Sequence, residues 1–249
     1  MDVHFLGTNG WYDTETGNTI CTLIRTDRWD ILLDAGYGIA KADRYLATDP
    51  AGPAILLLSH FHLDHVAGLH TLAKFRFPKG LIIAGPEGSR KTLDVLVNAP
   101  FTIPLAGLPY PVDVLELPDD LARIPFPLLT LPLRHTGITL GFRIEVDGLT
   151  VTYCPDTGYC ENALSLARGA DLLIAECAYR SGQGNEDWPH LNPETAARIA
   201  LEAGAGRLVL VHFEAWTYPT FREREESEAA ARRIFPETIA ARDDTCISL

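Results

Sequence analysis

His60, His62, Asp64 and His65 fall within six consecutive positions of "LLLSHFHLDHVAGL" (56–69), in a chain that has eight histidines in all. Imidazole and carboxylate side chains suit zinc, with manganese and iron as alternatives. In a loop leaving a strand, His60 and His62 point the same way, and two imidazoles can hold one cation. Asp64 and His65 then turn toward a second site as the chain enters a helix expected to start near Val66. A lone histidine is ordinarily a surface or core residue with common hydrogen bonds. The run H-x-H-x-D-H directly behind a buried strand signals metal binding instead.

Three further ligand-type residues also follow apolar runs. "LTLPLR" leads into His135, "LTVTYCP" into Asp156 and "RLVLV" into His212. Ligands gather where the carboxyl ends of strands converge. Taken singly, Asp156 reads as a turn former, and His135 or His212 carries no weight. As a set they complete two sites, with His60, His62 and His135 around one metal and Asp64, His65 and His212 around the other. Asp156 bridges the two. Cys154 is close to Asp156, but strand alternation gives no reason to count it as a ligand.

The elements that must position these residues are legible as short apolar runs. Buried strands are predicted at 55–59, 81–85, 149–154, 171–176 and 207–212, and a meander is predicted over "DVHFLG", "TICTLIRT" and "WDILLDAG". Between them lie helical patterns. In "NPETAARIALEAG", Asn192 is the N-cap, Pro193 the first helical position and Gly204 the stop. Ala196, Ile199, Ala200 and Ala203 form its buried stripe. A last helix is predicted from about Thr220 to Phe235. Residues 98–132 hold eight of the 17 prolines and read as a largely irregular connection that forms one wall of a pocket. Strands alternating with helices give an α/β class.

Composition narrows the function classes. With 47% hydrophobic and 22% charged residues, the 249-residue chain can bury a large core and is not disordered. No apolar run is long enough for a membrane span, and "MDVHFLGTNG" lacks the basic start of a secretion signal. Five cysteines without a CxxC pair read as reduced thiols in a cytoplasmic protein. A net charge of −12 weighs against a large nucleic-acid footprint. The basic stretch 74–91, with Lys74, Arg76, Lys79, Arg90 and Lys91, reads first as a solvated face and second as an anion-docking patch.

The same residues carry a family resemblance. H-x-H-x-D-H followed by separate His, Asp and His ligands is the hallmark of the metallo-β-lactamase superfamily, which this sequence resembles through nearly its whole length. "FLGTNG", "LLDAG" with Asp34, "SHFHLDHVAGL", "AGPEG", "YCPDTGY", "ADLLIAE" and "HLNPETAARIALEAGAGRLVLVHF" occur in order. Together they resemble the ribonuclease Z-like and phosphodiesterase branch more than the antibiotic-degrading one. The resemblance implies an αββα four-layer sandwich over 1–249. That single domain would have two pseudo-similar halves joined through 98–132, with two divalent ions, zinc first, at one edge between the sheets. Members often dimerise, so a homodimer is the implied assembly.

His190, in "WPHLNPETAARIA", resembles the family's histidine just before a helix, which contacts the scissile phosphate or assists the leaving group. On its own it would read as an exposed loop residue. A helix starting at Asn192 also directs free N–H groups at that region. Asp34 is expected either to accept a hydrogen bond from a ligand histidine or to shape the turn before Gly36. Glu176 either orients His190 or caps its strand.

The expected function is a dinuclear metal-dependent hydrolase, a phosphodiesterase that directs a metal-bridging hydroxide at the phosphorus of a small or nucleotide-like substrate. Asp64 orients that hydroxide while remaining a ligand, and His190 protonates the departing oxygen. An acyl hydrolase acting on a thioester or lactone stays open on the same metal site, with Tyr159 or Tyr179 as an electrophile and no necessary part for His190. An RNA 3′-end endonuclease is disfavoured by the acidic total and by the lack of a Gly- and Lys-rich arm. An inactive scaffold would need a missing ligand, and all seven are present. A flavo-diiron oxidoreductase resembles H-x-E-x-D, whereas position 62 here is histidine.

Overall fold

Apolar runs flanked by Gly, Pro and Asp become strands throughout the computed structural model, which describes residues 1–249. In chain order the first strands are β1 (Asp2–Gly7), β2 (Asn9–Gly10), β3 (Cys21–Arg25), β4 (Asp30–Leu33) and β5 (Ala54–Leu57). Then come α1 (Leu63–Val66), β6 (Leu81–Pro86), α2 (Ser89–Leu96), β7 (Val112–Leu117) and β8 (Leu128–Pro132). The chain continues through β9 (Leu140–Val146), β10 (Leu149–Cys154), α3 (Glu161–Ala167), β11 (Leu172–Glu176) and α4 (Pro193–Ala203). It ends with β12 (Leu208–Val211), β13 (Phe213–Glu214), α5 (Phe221–Arg232), β14 (Thr238–Ala240) and β15 (Thr245–Ser248).

These elements form two compact units. The first comprises residues 1–7, 18–125 and 243–249. Its sheet has the order β15-β1-β3-β4-β5-β6-β7, antiparallel from β15 to β4 and parallel from β4 to β7. The parallel strands "DILL" and "AILL" are buried at every position, which is why they read as unbroken apolar runs rather than as alternation. One face of the sheet packs Leu23, Leu32, Leu56 and Ile83 against Ile39, Leu69, Leu72, Phe75 and Leu93 from the helical segments.

The second unit comprises residues 8–17 and 126–242. Its sheet has the order β14-β12-β11-β10-β9-β8, parallel from β14 to β10 and antiparallel beyond. β2 and β13 pair separately, in parallel. Leu173, Ala175, Leu208 and Leu210 pack on Ala163, Leu166, Ala196, Ile199, Ala200 and Ala203 of α3 and α4. α4 follows the predicted pattern closely. Asn192 Oδ1 accepts from Thr195 N (2.9 Å), Thr195 Oγ1 accepts from Asn192 N (2.9 Å), and Gly204 closes the helix in left-handed backbone.

Two local expectations are corrected. The helix after the histidine run begins at Leu63, with His62 as its N-cap, so Asp64 and His65 lie in its first turn. α5 stops at Arg232, three residues short of Phe235. The proline-rich stretch is largely irregular, as expected, and two short strands, β7 and β8, interrupt it. Both are edge strands, and Pro111, Pro118 and Pro132 stand at or beside their ends, where the missing N–H breaks no interior ladder. Its predicted pocket role holds. Pro104, Leu105, Tyr110 and Pro111 line a cleft in the first unit with Leu93 and Val97.

The basic stretch 74–91 is largely paired, as a solvated face would be. Lys74 bonds Asp43 and Ala40 O, Arg90 bonds Glu116 and Asp120, and Arg76 bonds the carbonyls of Ala73 and Phe75. All five cysteines are free thiols. No helix is long and apolar enough to cross a membrane.

Candidate active site

In the first unit the ligand-type residues follow β5, and Asp34 follows its parallel neighbour β4. Asp34 is fully buried in left-handed backbone (φ 57°). Its carboxylate accepts from Ser59 N (2.7 Å) and Ser59 Oγ (2.8 Å) and lies 2.8 Å from His65 Nδ1. The ring nitrogen facing the carboxylate carries the proton, so His65 Nε2 keeps its lone pair. Ser59 has one hydroxyl hydrogen and gives it to Asp34, so its oxygen accepts from His60 Nδ1 at 2.9 Å. His60 Nε2 is therefore unprotonated as well. One carboxylate and one hydroxyl thus set two histidines in the tautomer that a metal ligand needs.

The three histidine rings are crowded. Centroids of His60 and His62 are 4.5 Å apart, and those of His60 and His65 are 4.1 Å apart. Imidazolium ions this close would repel one another, so the packing suits neutral donors. Asp64 Oδ2 lies 3.8 Å from His65 Nε2.

In the second unit β8, β10, β11 and β12 run the same way, so their C-terminal ends share one edge of the sheet. His135, Asp156, Glu176 and His212 all lie at that edge. His135 Nδ1 donates to Pro189 O (3.3 Å), which leaves Nε2 without a proton, 3.7 Å from Asp156 Oδ2. The other carboxylate oxygen, Asp156 Oδ1, is 3.1 Å from His212 Nε2. Each oxygen of one carboxylate faces a different imidazole, which suits a residue shared between two ions. Asp156, His190 and His212 also offer one ligand atom each, all within 4.8 Å of one another.

His190 Nδ1 donates to Glu176 Oε1 at 2.6 Å. Glu176 is fully buried, and its oxygens also accept from Thr157 N (2.8 Å) and Ala178 N (2.9 Å). Glu176 therefore orients His190. The His190 ring centroid lies 5.0 Å from that of His135 and stacks 5.9 Å from that of His212. His212 has φ 53°, and a Cβ at Gly10 would come within 2.5 Å of its ring. Gly10 is thus the space in which His212 sits.

Sequence reasoning missed Ser59, Gly10 and Trp188. Ser59 is a lone hydroxyl between an apolar strand and the first histidine, a signal that was available. Trp188 stands two residues before His190, with its ring 5.6 Å from that of His135, and nothing in spacing pointed to it. Both readings of Asp34 hold, since one residue shapes the turn and orients His65. Cys154 packs in the apolar core with Ala163 and Leu166, where burial pushes its thiol up, and it stands in none of the clusters of ligand atoms. The two tyrosines weighed as electrophiles are engaged elsewhere. Tyr159 donates to Glu202 and Tyr179 to Trp188 O (2.7 Å).

The family described as the Beta-lactamase superfamily domain matches residues 29–213, a stretch that holds all the histidine and carboxylate residues above. The chain belongs to this superfamily. Within it, a probable metallo-hydrolase of Bacillus subtilis strain 168, YhfI, is 26% identical over 242 residues, 94% of each chain. The crystal structure of YhfI, a metallo-β-lactamase fold protein, matches with a TM-score of 0.80 at 25% identity, over 99% of this chain and 98% of that one. A ribonuclease Z of Metallosphaera sedula is 24% identical over 297 residues, 100% of this chain and 99% of the relative. A diphosphatase of the PhnP family shares the fold alone, with a TM-score of 0.71 at 15% identity over 100% and 97% of the two chains. The expected α/β class and superfamily are borne out, and the protein is a metal-dependent hydrolase with relatives of the ribonuclease Z type.

Proposed function

We propose that this superfamily member hydrolyses a small, nucleotide-like phosphodiester at a two-metal site. His60, His62 and His135 would hold one ion, Asp64, His65 and His212 the other, and Asp156 would sit between them as the shared carboxylate. Zinc suits this donor set, with manganese or iron as alternatives. Support comes from the tautomers. Asp34, Ser59 and Pro189 O take the Nδ1 protons of His65, His60 and His135, and leave each Nε2 as a donor. Bound there, the cations supply Lewis acidity toward the phosphate and an activated water.

The chain's own residues do the remainder. Hydrolysis of a phosphodiester forms a P–O bond to water and breaks the bond to the leaving oxygen, which must gain a proton. His190 is the residue assigned to supply it from Nε2, while Nδ1–H stays on Glu176. The neutral ring left behind keeps its bond to Glu176 and recovers the proton from water. Free thiols at every cysteine fit a cytoplasmic setting.

The observation that carries the reading is the 2.6 Å bond from His190 to a fully buried carboxylate, beside the ring of His135. A thiolate leaves a thioester with little protonation, whereas an alkoxide leaving phosphorus needs an acid. The engaged hydroxyls of Tyr159 and Tyr179 also count against the acyl route. His190→Ala is expected to lower kcat about 10²- to 10⁴-fold on a phosphodiester with an alkoxide leaving group. The loss should be much smaller on bis-p-nitrophenyl phosphate, whose phenolate leaves unprotonated, and bound metal should match the wild type. Loss of metal, equal loss on both substrates, or turnover of thioesters and lactones alone would each displace this assignment.

A further inference from the structure

Trp11 combines features that rarely occur together. Its backbone is left-handed (φ 76°), an outlier for a bulky side chain, yet 61% of the residue is exposed. The loop that displays it is firmly pinned. The fully buried guanidinium of Arg224 donates to Thr8 Oγ1 (2.8 Å), Thr16 Oγ1 (3.1 Å) and Asn9 Oδ1. Asn9 Nδ2 in turn donates to Tyr12 O (3.1 Å), Thr14 Oγ1 (2.9 Å) and Gly17 O (3.0 Å). β2 pairs Asn9 with Phe213 and Gly10 with Glu214, the two residues after His212. Strained backbone held by surroundings that over-determine it concentrates at functional sites.

The exposed ring faces a second one. Trp188, 36% exposed, meets Trp11 edge to face at 6.3 Å and 76°. Its ring also lies 5.6 Å from His135 and 6.2 Å from His190. Two indoles set nearly at right angles make a corner, one wall of which adjoins the proposed proton donor.

We propose that Trp11 and Trp188 form a stacking corner for a planar ring carried by the substrate, the base of a single-nucleotide phosphodiester. The proposal rests on the phosphodiesterase reading and names its substrate class. A base stacks on an indole face regardless of its identity. Trp188 adjoins His190, with 6.2 Å between ring centroids, so a base stacked in the corner lies near the proposed proton donor. A net charge of −12 gives no basic track for a longer strand, so a lone nucleotide fits better than a polymer.

The test is binding of AMP and of ribose 5-phosphate to the zinc-loaded protein, read by tryptophan fluorescence and calorimetry. AMP is expected to bind about tenfold more tightly than ribose 5-phosphate, in the range of one base–aromatic stack. Trp11→Ala should bring the two within about twofold, and Trp11→Phe should retain most of the gap. Phe101→Ala, at an exposed residue of the first unit, should leave the gap intact. Equal affinity for the two ligands in the wild type, no binding of either, or an undiminished gap in Trp11→Ala would overturn the proposal. So would a protein that is bound through this patch and leaves AMP affinity unaffected.

This readout needs no turnover, so it is separable from the phosphodiesterase reading. That reading fails if neither thymidine 5′-(p-nitrophenyl phosphate) nor methyl p-nitrophenyl phosphate is hydrolysed. If both are, the kcat/KM ratio between them should fall about tenfold in Trp11→Ala. An equal fall on both esters would contradict base recognition.

Discussion

Asp34 shows how one residue can carry several constraints. Its left-handed backbone turns the chain after β4, and its two oxygens are shared among Ser59 N, Ser59 Oγ and His65 Nδ1. Removing the carboxylate frees the His65 tautomer, and also frees Ser59 to donate to His60 and so reverse that ring. Asp34→Ala should therefore weaken metal binding about 10- to 100-fold, the usual effect of losing a partner that orients a ligand. Asp34→Asn should recover part of it, because the amide oxygen still accepts. Competitive titration against a chelating dye measures both, and unchanged affinity in Asp34→Ala would remove Asp34 from the account. The histidine run announced itself in the sequence because its spacing has few other uses. Ser59 did not, and Glu176 stayed open between orienting His190 and capping its strand, because a hydroxyl or a carboxylate at a strand end is common and only its partners reveal its purpose.

At the scale of elements, one proposed ligand after another follows the C-terminal end of a strand, and the local structure there is tight. His212 lies in left-handed backbone over Gly10, and β2–β13 pairing holds the two together. Gly10→Ala would drive a Cβ into that ring, so it should release His212 and reduce bound metal, as elemental analysis of the purified variant can show. Full metal content in Gly10→Ala would mean that His212 is not a ligand. α4, which follows His190, depends on its Asn192 cap. Asn192→Ala should cost about 1 kcal/mol of stability, measurable by urea denaturation. The capped helix and the apolar strands were legible because propensity, pattern and burial agree there. β8 was legible only as the apolar run leading into His135, and the edge strand β7 was hidden, because its flanking prolines look like loop formers until the sheet edge that tolerates them is known.

Across the whole molecule, charge and metal linkage decide what the protein can do. A net charge of −12, with Lys74 and Arg90 already paired to carboxylates, leaves little to grip a nucleic-acid backbone. An unstructured 30-nucleotide RNA should thus show no binding near physiological salt, and tight salt-dependent binding would revive the endonuclease reading. Ions that bind only the folded chain stabilise it by mass action, by about 2.7 kcal/mol at a hundred times the dissociation constant. For a chain of this length, that corresponds to a rise of roughly 5–10 °C in Tm. The most direct test of the account is elemental analysis of the purified protein equilibrated with zinc and then freed of loosely bound ions. Two zinc ions per chain is the predicted result, and protein that retains none would contradict the proposed centre.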